Sequence, residues 1–377
     1  MIMKVTFRVR MFPTKEQENK FWQFCGSARF AYNQCLDYKN RIYEETGYSC
    51  KVQDMLEYLQ DLKYSDEYSW LQTIPEAVTK QAVKDLDNAF KRFFKGLSGF
   101  PKFKKKGKCR FSFYQRTDNL KNVDNTHIKI TGISTPVKIR KHKIVKPVSN
   151  PRVIFDGKYW FLHYSVDVEE SKDSKLTDNV IGMDLGIKNL GILSDGNIYR
   201  NMNKDKNVKI LEKRKKRLQR KISRKYRANM DGNTYVKTSN IIKLEKQLRL
   251  IERKLRNIRD THVHTMTADL VKTKPKAIVM EDLDVMGMLK NKHLSRKIRE
   301  QCFYKVKEYL KYKCKYYGIQ LVLADRYYPS SKMCSSCGNR KKFLSLSERV
   351  YHCPECGMTM DRDLNAAINL RNYYFAH

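Results

Sequence analysis

The sequence predicts an α/β protein that carries an additional β-barrel and an additional set of helices. Three observations predict it: helical periodicity over residues 14–96, short strands with tight turns over 97–172, and apolar strands alternating with long amphipathic helices after residue 179. At 377 residues the chain also exceeds the roughly 250 residues at which single cores usually stop growing. We therefore expect several domains.

The first strand and the helices after it have clear boundaries. Residues 4–11 alternate apolar and polar side chains, which is the period of a half-buried strand. Thr14 and Gln17 have the spacing of a capping box, and apolar residues then recur at helical intervals until Gly96. The sequence thus predicts a helical block over residues 14–96.

Strand signals dominate the next segment. RFSFY is followed by a hairpin in which Asp156-Gly157 separates PRVIF from KYWFLHYSV. Because an isolated strand is not stable, we expect residues 4–11 to join these strands in a small barrel, which makes the helical block an insertion. Residues 171–178 (SKDSKLTD) are a predicted polar linker.

The remaining sequence has the order of an α/β sheet. VIGMD, AIVME and IQLVLAD are predicted strands, and DRDLNAAINLRNYY is a predicted final helix. Between the first two strands we predict a helix over 207–228 and a second helix with an apolar stripe from Leu244 to Ile258, which together form an antiparallel hairpin. A further helix is predicted over 296–317, ended by Gly318.

The chain is strongly basic, with 77 Lys and Arg against 40 Asp and Glu and a formal net charge of +37. Nucleic acid is the expected partner, since no apolar run is long enough to span a membrane and no lipidation signal is present. The densest basic run lies in the helix at 207–228, where the candidate phosphate-binding residues are Lys213, Arg214, Lys215, Lys216, Arg217, Arg220 and Lys221. Candidates for stacking on bases, with core packing as the alternative, are Phe103, Phe111, Phe113 and Tyr114.

Four cysteines have metal-ligand spacing. They form two C-x2-C pairs, each followed by glycine: Cys334, Cys337, Cys353 and Cys356. Four thiolates predict a closed, structural zinc site, because they leave no open position for water. With the cysteines filling the shell, His352 is not expected to be a ligand.

Acidic residues stand where two buried strands end. Asp184 ends VIGMD and Glu281 ends AIVME, and ligands of open α/β sheets bind at that edge. Asp363 or Asp361 at the start of the final helix supplies a third acid if that helix packs on the sheet, although helix capping is the alternative role. Three such carboxylates suit Mg²⁺ or Mn²⁺, and two ions together hydrolyse phosphodiesters.

Several segments together resemble the TnpB nucleases of bacterial and archaeal insertion sequences. The resemblance is carried by GMDLGIKNLG, IVMEDL, PSSKMCSSCG, YHCPECG and DRDLNAAINL, with MFPTKEQE, GSARFAYN and GFPKFKKKGK near the start. It implies an RNase H-like (RuvC) nuclease domain with an inserted zinc ribbon, preceded by a wedge-type β-barrel with an inserted helical recognition domain. The implied domains are the barrel at 1–13 and 97–172, the recognition domain at 14–96, the nuclease domain at 173–332 and 362–377, and the ribbon at 333–361.

The resemblance also implies an activity, an RNA-guided DNA endonuclease encoded by a transposon. Asp184, Glu281 and Asp363 would be the catalytic acids that hold two Mg²⁺ or Mn²⁺ ions; Asp363 is preferred because related type V CRISPR effectors place the acid two residues before an Asn. Lys80 and Gln81 would face the short motif beside the DNA target. The implied partners are a guide RNA from the transposon end and double-stranded DNA, and the implied setting is the cytoplasm of a prokaryote, as a monomer with RNA.

Three other functions stay open at the level of sequence. A compact type V CRISPR effector shares the same domain plan, and a repeat array beside the gene would reveal it. A guide-dependent repressor without cleavage would lack part of the acid set, which is complete here. A recombinase would give strand-transfer products.

Overall fold

The computed structural model describes residues 2–107, 109–169, 175–232, 234–345 and 347–376. The chain forms two compact units, Lys4–Val168 and Glu169–His377 together with Met1–Met3. Of the predicted linker, residues 171–174 lie outside the described residues, and the prediction of separate domains within each unit stays a prediction. No helix in the described part of the chain has the length and apolar character needed to cross a membrane.

Within the described residues, the sheet of the first unit has seven strands. They are β1 (Ile2–Phe12), β2 (Phe111–Tyr114), β3 (Lys121–Asn122), β4 (His127–Lys129), β5 (Val137–Ile139), β6 (Ser149–Phe155) and β7 (Trp160–Glu169), in the order β2-β6-β7-β1-β5-β4-β3. As predicted, β1 joins the later strands, and β6 and β7 form a hairpin whose turn contains Gly157 at φ 105°. The predicted barrel is present as a half-barrel: within the described residues β2 and β3 are the two edges of its sheet.

Helices fill the apolar side of this half-barrel. They are α1 (Lys15–Thr46), α2 (Val52–Tyr64), a 3-10 helix (Asp66–Thr73) and α3 (Glu76–Phe94). The predicted capping box is present, since the Gln17 amide N–H donates to Thr14 Oγ1 and the Thr14 N–H donates to Gln17 Oε1. Phe21 and Phe24 of α1 are buried against Phe113 of the sheet, so helix side chains supply the core that a closed barrel would fill from its strands.

The described part of the second unit contains a five-stranded sheet. Its strands are β8 (Val180–Leu185), β9 (Asn189–Leu193), β10 (Ile198–Arg200), β13 (Ala277–Glu281) and β14 (Gln320–Ala324), in the order β10-β9-β8-β13-β14. A separate small hairpin consists of β11 (Met230–Asp231) and β12 (Thr234–Tyr235). β8, β13 and β14 are parallel, whereas β9 and β10 are antiparallel. The three parallel strands are those predicted from their apolar runs.

Six helices complete the described part of this unit. They are α4 (Lys206–Ala228), α5 (Ser239–Lys272), α6 (Val285–Lys290), α7 (Ser295–Gln301), α8 (Phe303–Tyr317) and α9 (Arg362–Ala376). α4 and α5 pack through the predicted apolar stripe. The helix predicted over 296–317 is broken at Cys302, whose φ of 57° interrupts it, and the preceding Gln301 donates to the carbonyls of Gly186 and Ile187. Between β14 and α9 lies the hairpin of β15 (Val350–His352) and β16 (Thr359–Asp361).

Candidate functional site

Two neighbouring parallel strands carry acids at the same level. Met183 of β8 is in register with Met280 of β13, so Asp184 and Glu281 are the next residues on adjacent strands. Adjacent strands lie about 4.8 Å apart, and residues that share a register position face the same side. The two predicted strand-end carboxyls are therefore neighbours on one face of the sheet.

The final helix packs on that same face because Gly182 leaves room for it. A Cβ atom on Gly182 would lie 2.0 Å from the Ala367 carbonyl oxygen and 2.4 Å from the Arg371 backbone nitrogen. Since Gly182 and Asp184 are two residues apart on one strand, they share a face. The close approach thus brings the first turn of α9, with Asp363, toward Asp184.

The two candidate acids at the start of α9 have different surroundings. Asp361 Oδ1 accepts hydrogen bonds from the backbone N–H groups of Asp363 and Leu364, at 2.9 and 3.2 Å. Asp361 is therefore the residue that caps the helix. The Asp363 carboxyl lies 3.5 Å from Arg362 Nε and is not used as a cap.

The carboxyls of Glu281 and Asp363 are close enough to Asp184 to affect its pKa. Burial raises the pKa of Asp184 well above its usual value, and the nearby carboxyls of Glu281 and Asp363 raise it further. The Arg362 guanidinium acts in the opposite direction and lowers this pKa. The site consequently has an excess of negative charge when all three acids are ionised, which is a favourable environment for divalent cations.

The carboxylates are spread more widely than the ligands of a single closed metal shell. Among the described residues, the four cysteines alone bring three or more candidate ligand atoms within 4.8 Å of one another. Oxygen donors at the sheet edge fit Mg²⁺ or Mn²⁺ in type, since hard cations prefer carboxylates.

Glu281 is oriented by a side chain that sequence reasoning missed. The Ser330 hydroxyl donates a hydrogen bond to Glu281 Oε1 at 2.5 Å. The next residue, Asp282, is held elsewhere, since it pairs with Lys307 at 2.6 Å and with Arg326 at 3.3 Å. Of the two consecutive acids, Glu281 is thus the one directed to Asp184.

Ser330, Asn365 and Asn369 form what we call the polar seam, a buried contact between α9 and the segment before the first cysteine pair. Asn369 Nδ2 donates to the carbonyl oxygens of Ser330 (2.8 Å) and Met333 (2.6 Å). Asn365 Nδ2 donates to Met333 O at 2.7 Å, and its Oδ1 accepts from the Ser335 N–H at 3.0 Å. The seam connects the cysteine cluster to the helix that bears Asp363.

The four cysteines form one cluster, as predicted. Cys334 Sγ lies 3.6 Å from Cys356 Sγ, and Cys337 Sγ lies 3.6 Å from Cys353 Sγ. Tetrahedral zinc with bonds of about 2.3 Å needs sulfurs about 3.8 Å apart, whereas a disulfide needs about 2.05 Å. The cluster fits a structural zinc ribbon.

His352 takes no part in the cluster. Its Nδ1 lies 2.8 Å from Thr359 Oγ1, across the β15–β16 hairpin. The exposed histidine therefore has a partner of its own, in agreement with its predicted role as a bystander.

The predicted basic residues lie along one helix, α4. Lys215 is half-buried and the other six are exposed: Lys213, Arg214, Lys216, Arg217, Arg220 and Lys221. Arg217 and Lys221 also line a shallow groove with Arg224 and Lys225. The opposite side of α4 packs on α5 through Leu218 and Ile222. The helix thus presents an array of cations suited to a phosphate backbone.

Lys80 and Gln81 are adjacent on α3 but do not lie in one site. Lys80 pairs with Glu76 one turn earlier at 2.6 Å. Gln81 donates to Asp85, which binds Arg152 through two contacts of 2.7 and 2.8 Å. Both have intramolecular partners, and their assignment to DNA contacts stays a prediction.

Gly182→Ala tests the packing of α9 on the sheet. The new methyl group would overlap helix backbone, so α9 must move; a misplacement of about 1 Å costs about 10²-fold in rate. We expect metal-dependent cleavage to fall by roughly that factor in a rate assay. Gly26→Ala is the control, because nothing lies within 4 Å of the position that its methyl group would occupy. An unchanged rate for Gly182→Ala would show that this contact does not position Asp363.

Three family models match parts of the chain. A helix-turn-helix model of the IS605 OrfB family matches residues 1–48, and the IS605 OrfB model described as "Probable transposase" matches 163–292. The TNB domain model of Cas12f1-like proteins matches 303–370, which includes all four cysteines and Asp363. Together the three matches span more than half of the chain.

Relatives match nearly the whole length. A protein from Streptomyces pristinaespiralis, provisionally named RNA-guided DNA endonuclease, is 28% identical over 98% of this chain and 89% of its own. InsQ from Escherichia coli K12, with the same provisional description, is 29% identical over 97% of this chain and 90% of its own. Among solved structures, the cryo-EM structure of a Cas12f1-sgRNA-target DNA complex matches with a TM-score of 0.59 and 14% identity, over 98% of this chain and 99% of that one.

The structural match places the chain in the fold class of Cas12f1, a mixed α/β fold with a half-barrel sheet and a cysteine cluster. Within that class, the chain is similar to the OrfB (TnpB) proteins of IS605-type insertion sequences, whose two family models match 1–48 and 163–292. The resemblance seen in the sequence motifs is thereby confirmed.

Proposed function

We propose that the chain is an RNA-guided DNA endonuclease that hydrolyses phosphodiesters at the edge of the second unit's sheet. The observation that carries the proposal is the convergence of Asp184, Glu281 and Asp363 on one face, where two parallel strands end beside α9. The names of relatives that match nearly the whole chain support the same activity. The nuclease fold would be RNase H-like.

The three acids would hold Mg²⁺ or Mn²⁺. Two such ions, when bound, activate the attacking water and stabilise the leaving oxygen of an in-line displacement. In the protein, Ser330 orients Glu281 through one carboxylate oxygen, and Arg362 offsets part of the negative charge around Asp184. Gly182 keeps α9 close enough for Asp363 to take part.

Cations would hold the polyanion that three acids alone repel. The exposed face of α4 is suited to the phosphates of a guide RNA or of an RNA–DNA heteroduplex. In this division of labour, base pairing reads the DNA sequence, and the protein holds the backbone and recognises a short adjacent motif. Double-stranded DNA and a transposon-derived RNA would be the two partners.

The test begins with protein produced together with its own flanking transcript. We expect a discrete RNA to copurify, and we expect the complex to cut duplex DNA that matches the RNA guide and carries the right adjacent motif, supplied as a randomised flank. Cleavage should require Mg²⁺ or Mn²⁺ and stop with a chelator. Absence of a discrete RNA, or equal cutting of matched and scrambled DNA, would contradict the proposal. Guided binding without cleavage at any metal concentration would identify a repressor instead.

A further inference from the structure

The end of α3 and the loop after it expose large apolar side chains. The exposed fractions are 72% for Phe94, 65% for Leu97, 47% for Phe100 and 49% for Phe103. We call these four residues the α3 patch. Single exposed apolar residues are common, but several within ten residues are typical of an interaction site.

A helix-terminating motif fixes Leu97 in this exposed position. The Gly96 N–H donates to Phe93 O and the Leu97 N–H donates to Arg92 O, both at 2.9 Å, and Gly96 has a φ of 67°. This is a Schellman motif, in which the residue after the glycine usually makes an apolar contact with the last turn. Arg92 occupies the partner position here, so Leu97 remains exposed on an ordered backbone.

The loop beyond Leu97 is anchored at two further points. The Phe100 ring packs edge-on against Phe90 and Phe93, with centroids 5.5 and 5.3 Å apart. The Asn33 side chain donates to Lys104 O at 3.0 Å and accepts from Lys104 N at 2.8 Å. Because the α3 patch is already ordered, a partner loses little binding energy to ordering it.

The charge around the α3 patch identifies the kind of partner. Residues 91–107 contain seven Lys or Arg and no Asp or Glu. Rings among cations suit single-stranded nucleic acid, whose bases stack on aromatic side chains while its phosphates meet the charges. A duplex hides its base faces and would not use the rings.

We propose that the α3 patch binds unpaired bases of RNA by stacking. RNA is favoured over DNA because an exposed apolar surface promotes aggregation unless it is covered continuously, and under the proposed function the guide RNA stays bound while DNA is exchanged. The choice of RNA over DNA rests on the proposed function. Stacking itself depends only on the geometry of the patch.

The first test uses full-length protein freed of nucleic acid. Its affinity for an oligoadenylate of about 20 nucleotides, and for an RNA duplex of equal length, is measured over a range of salt concentrations. In the Phe94→Ser/Leu97→Ser variant we expect single-strand affinity to fall by about tenfold or more, with the salt slope and the duplex affinity unchanged. Phe94→Trp should retain binding. Tyr64→Ser, at an aromatic residue 67% exposed outside the patch, is the matched control.

Unchanged single-strand affinity, or an equal loss on both probes, would overturn the proposal. A melting curve like that of the wild type is required of the double variant, and Phe94→Trp separates stacking from a folding defect. If the wild type self-associates and the double variant is monomeric, the α3 patch is a contact between copies, and the RNA assignment is wrong.

A second test identifies the source of the nucleic acid. The protein is purified with its own RNA, in which 4-thiouridine has been incorporated. Ultraviolet crosslinks should then map to peptides that contain residues 94–103. Crosslinks that arise only from bromodeoxyuridine in added DNA would overturn the assignment to RNA. Neither test measures cleavage. If the wild-type protein binds oligoadenylate through the α3 patch but shows no guided cleavage, the proposed function is rejected and the stacking surface is still supported.

Discussion

Asp184→Asn should abolish DNA cleavage and raise the melting temperature of the protein measured without Mg²⁺ or Mn²⁺. The substitution removes a charged oxygen from the acid site, and losses of roughly 10³-fold or more are usual when a catalytic charge is removed. It also removes a carboxyl whose pKa is raised first by burial and then by Glu281 and Asp363. Asn has a similar shape and no charge, so the folded state no longer contains that repulsion.

The pH dependence gives the sign of the stability effect. A raised pKa means that the folded state binds a proton more tightly than the unfolded state, so the wild type loses stability as pH rises above the ordinary Asp value of 3.8. The difference in melting temperature between Asp184→Asn and wild type should therefore be largest near neutral pH and vanish toward pH 4. Calorimetry of zinc-loaded protein in buffer without Mg²⁺ or Mn²⁺ measures it, with the exposed Asp178→Asn as control. A lower melting temperature for Asp184→Asn at neutral pH would contradict the assignment.

Cys353→Ser should reduce both the zinc content of the protein and its rate of DNA cleavage. Three thiolates and a hydroxyl bind zinc far more weakly, and the binding free energy of a structural zinc is about 10–16 kcal/mol, which contributes directly to folding of the ribbon. Once the ribbon loosens, Ser335 and Met333 can no longer hold Asn365 in place. We expect zinc by mass spectrometry to fall well below one ion per chain and the cleavage rate to fall by at least about tenfold.

The neighbouring His352→Gln serves as the matched control, because His352 is exposed and bonded to Thr359. It should keep both zinc and activity. A zinc-free Cys353→Ser protein with full Mg²⁺-dependent activity would show that the ribbon and the acid site are independent. Retained RNA binding in Cys353→Ser would show that the rest of the chain is folded.

Much of the fold is predictable because its signals are local. The capping box at Thr14, the Asp156-Gly157 turn and the buried parallel strands all depend on residues within a few positions of each other. The open half-barrel and the break at Cys302 are not predictable in that way. The first depends on Phe21 and Phe24 filling the sheet's apolar side, and the second on Gln301 reaching the Gly186 and Ile187 carbonyls.

The residues of the candidate site likewise divide into those with a local sequence signal and those defined by distant contacts. Strand ends identified Asp184 and Glu281, and spacing identified the four cysteines, but no local pattern separates Asp363 from Asp361 without the resemblance. In the structure Asp361 caps α9, whereas the assignment of Asp363 as the third acid stays a prediction. Ser330 and Gly182 were missed because their roles depend on distant contacts. Asn365 and Asn369 could have been found from the sequence. Two asparagines four residues apart on an otherwise apolar helix face are unfavourable unless both side chains are hydrogen-bonded, so the pair indicates buried polar contacts.

The connection between the cysteine cluster and α9 limits where the chain can vary in length. Cys356 is fixed by the cysteine cluster and Asp361 by the first turn of α9, so the four residues between them act as a spacer of set length. An insertion there would rotate Asp363 about the helix axis even if every ligand and every acid were kept. Residues 341–345 and 347–349, between the two cysteine pairs, have no regular strand or helix and lie outside the seam. Variation in ribbon size among homologous chains should accordingly accumulate before Cys353 and be rare after Cys356.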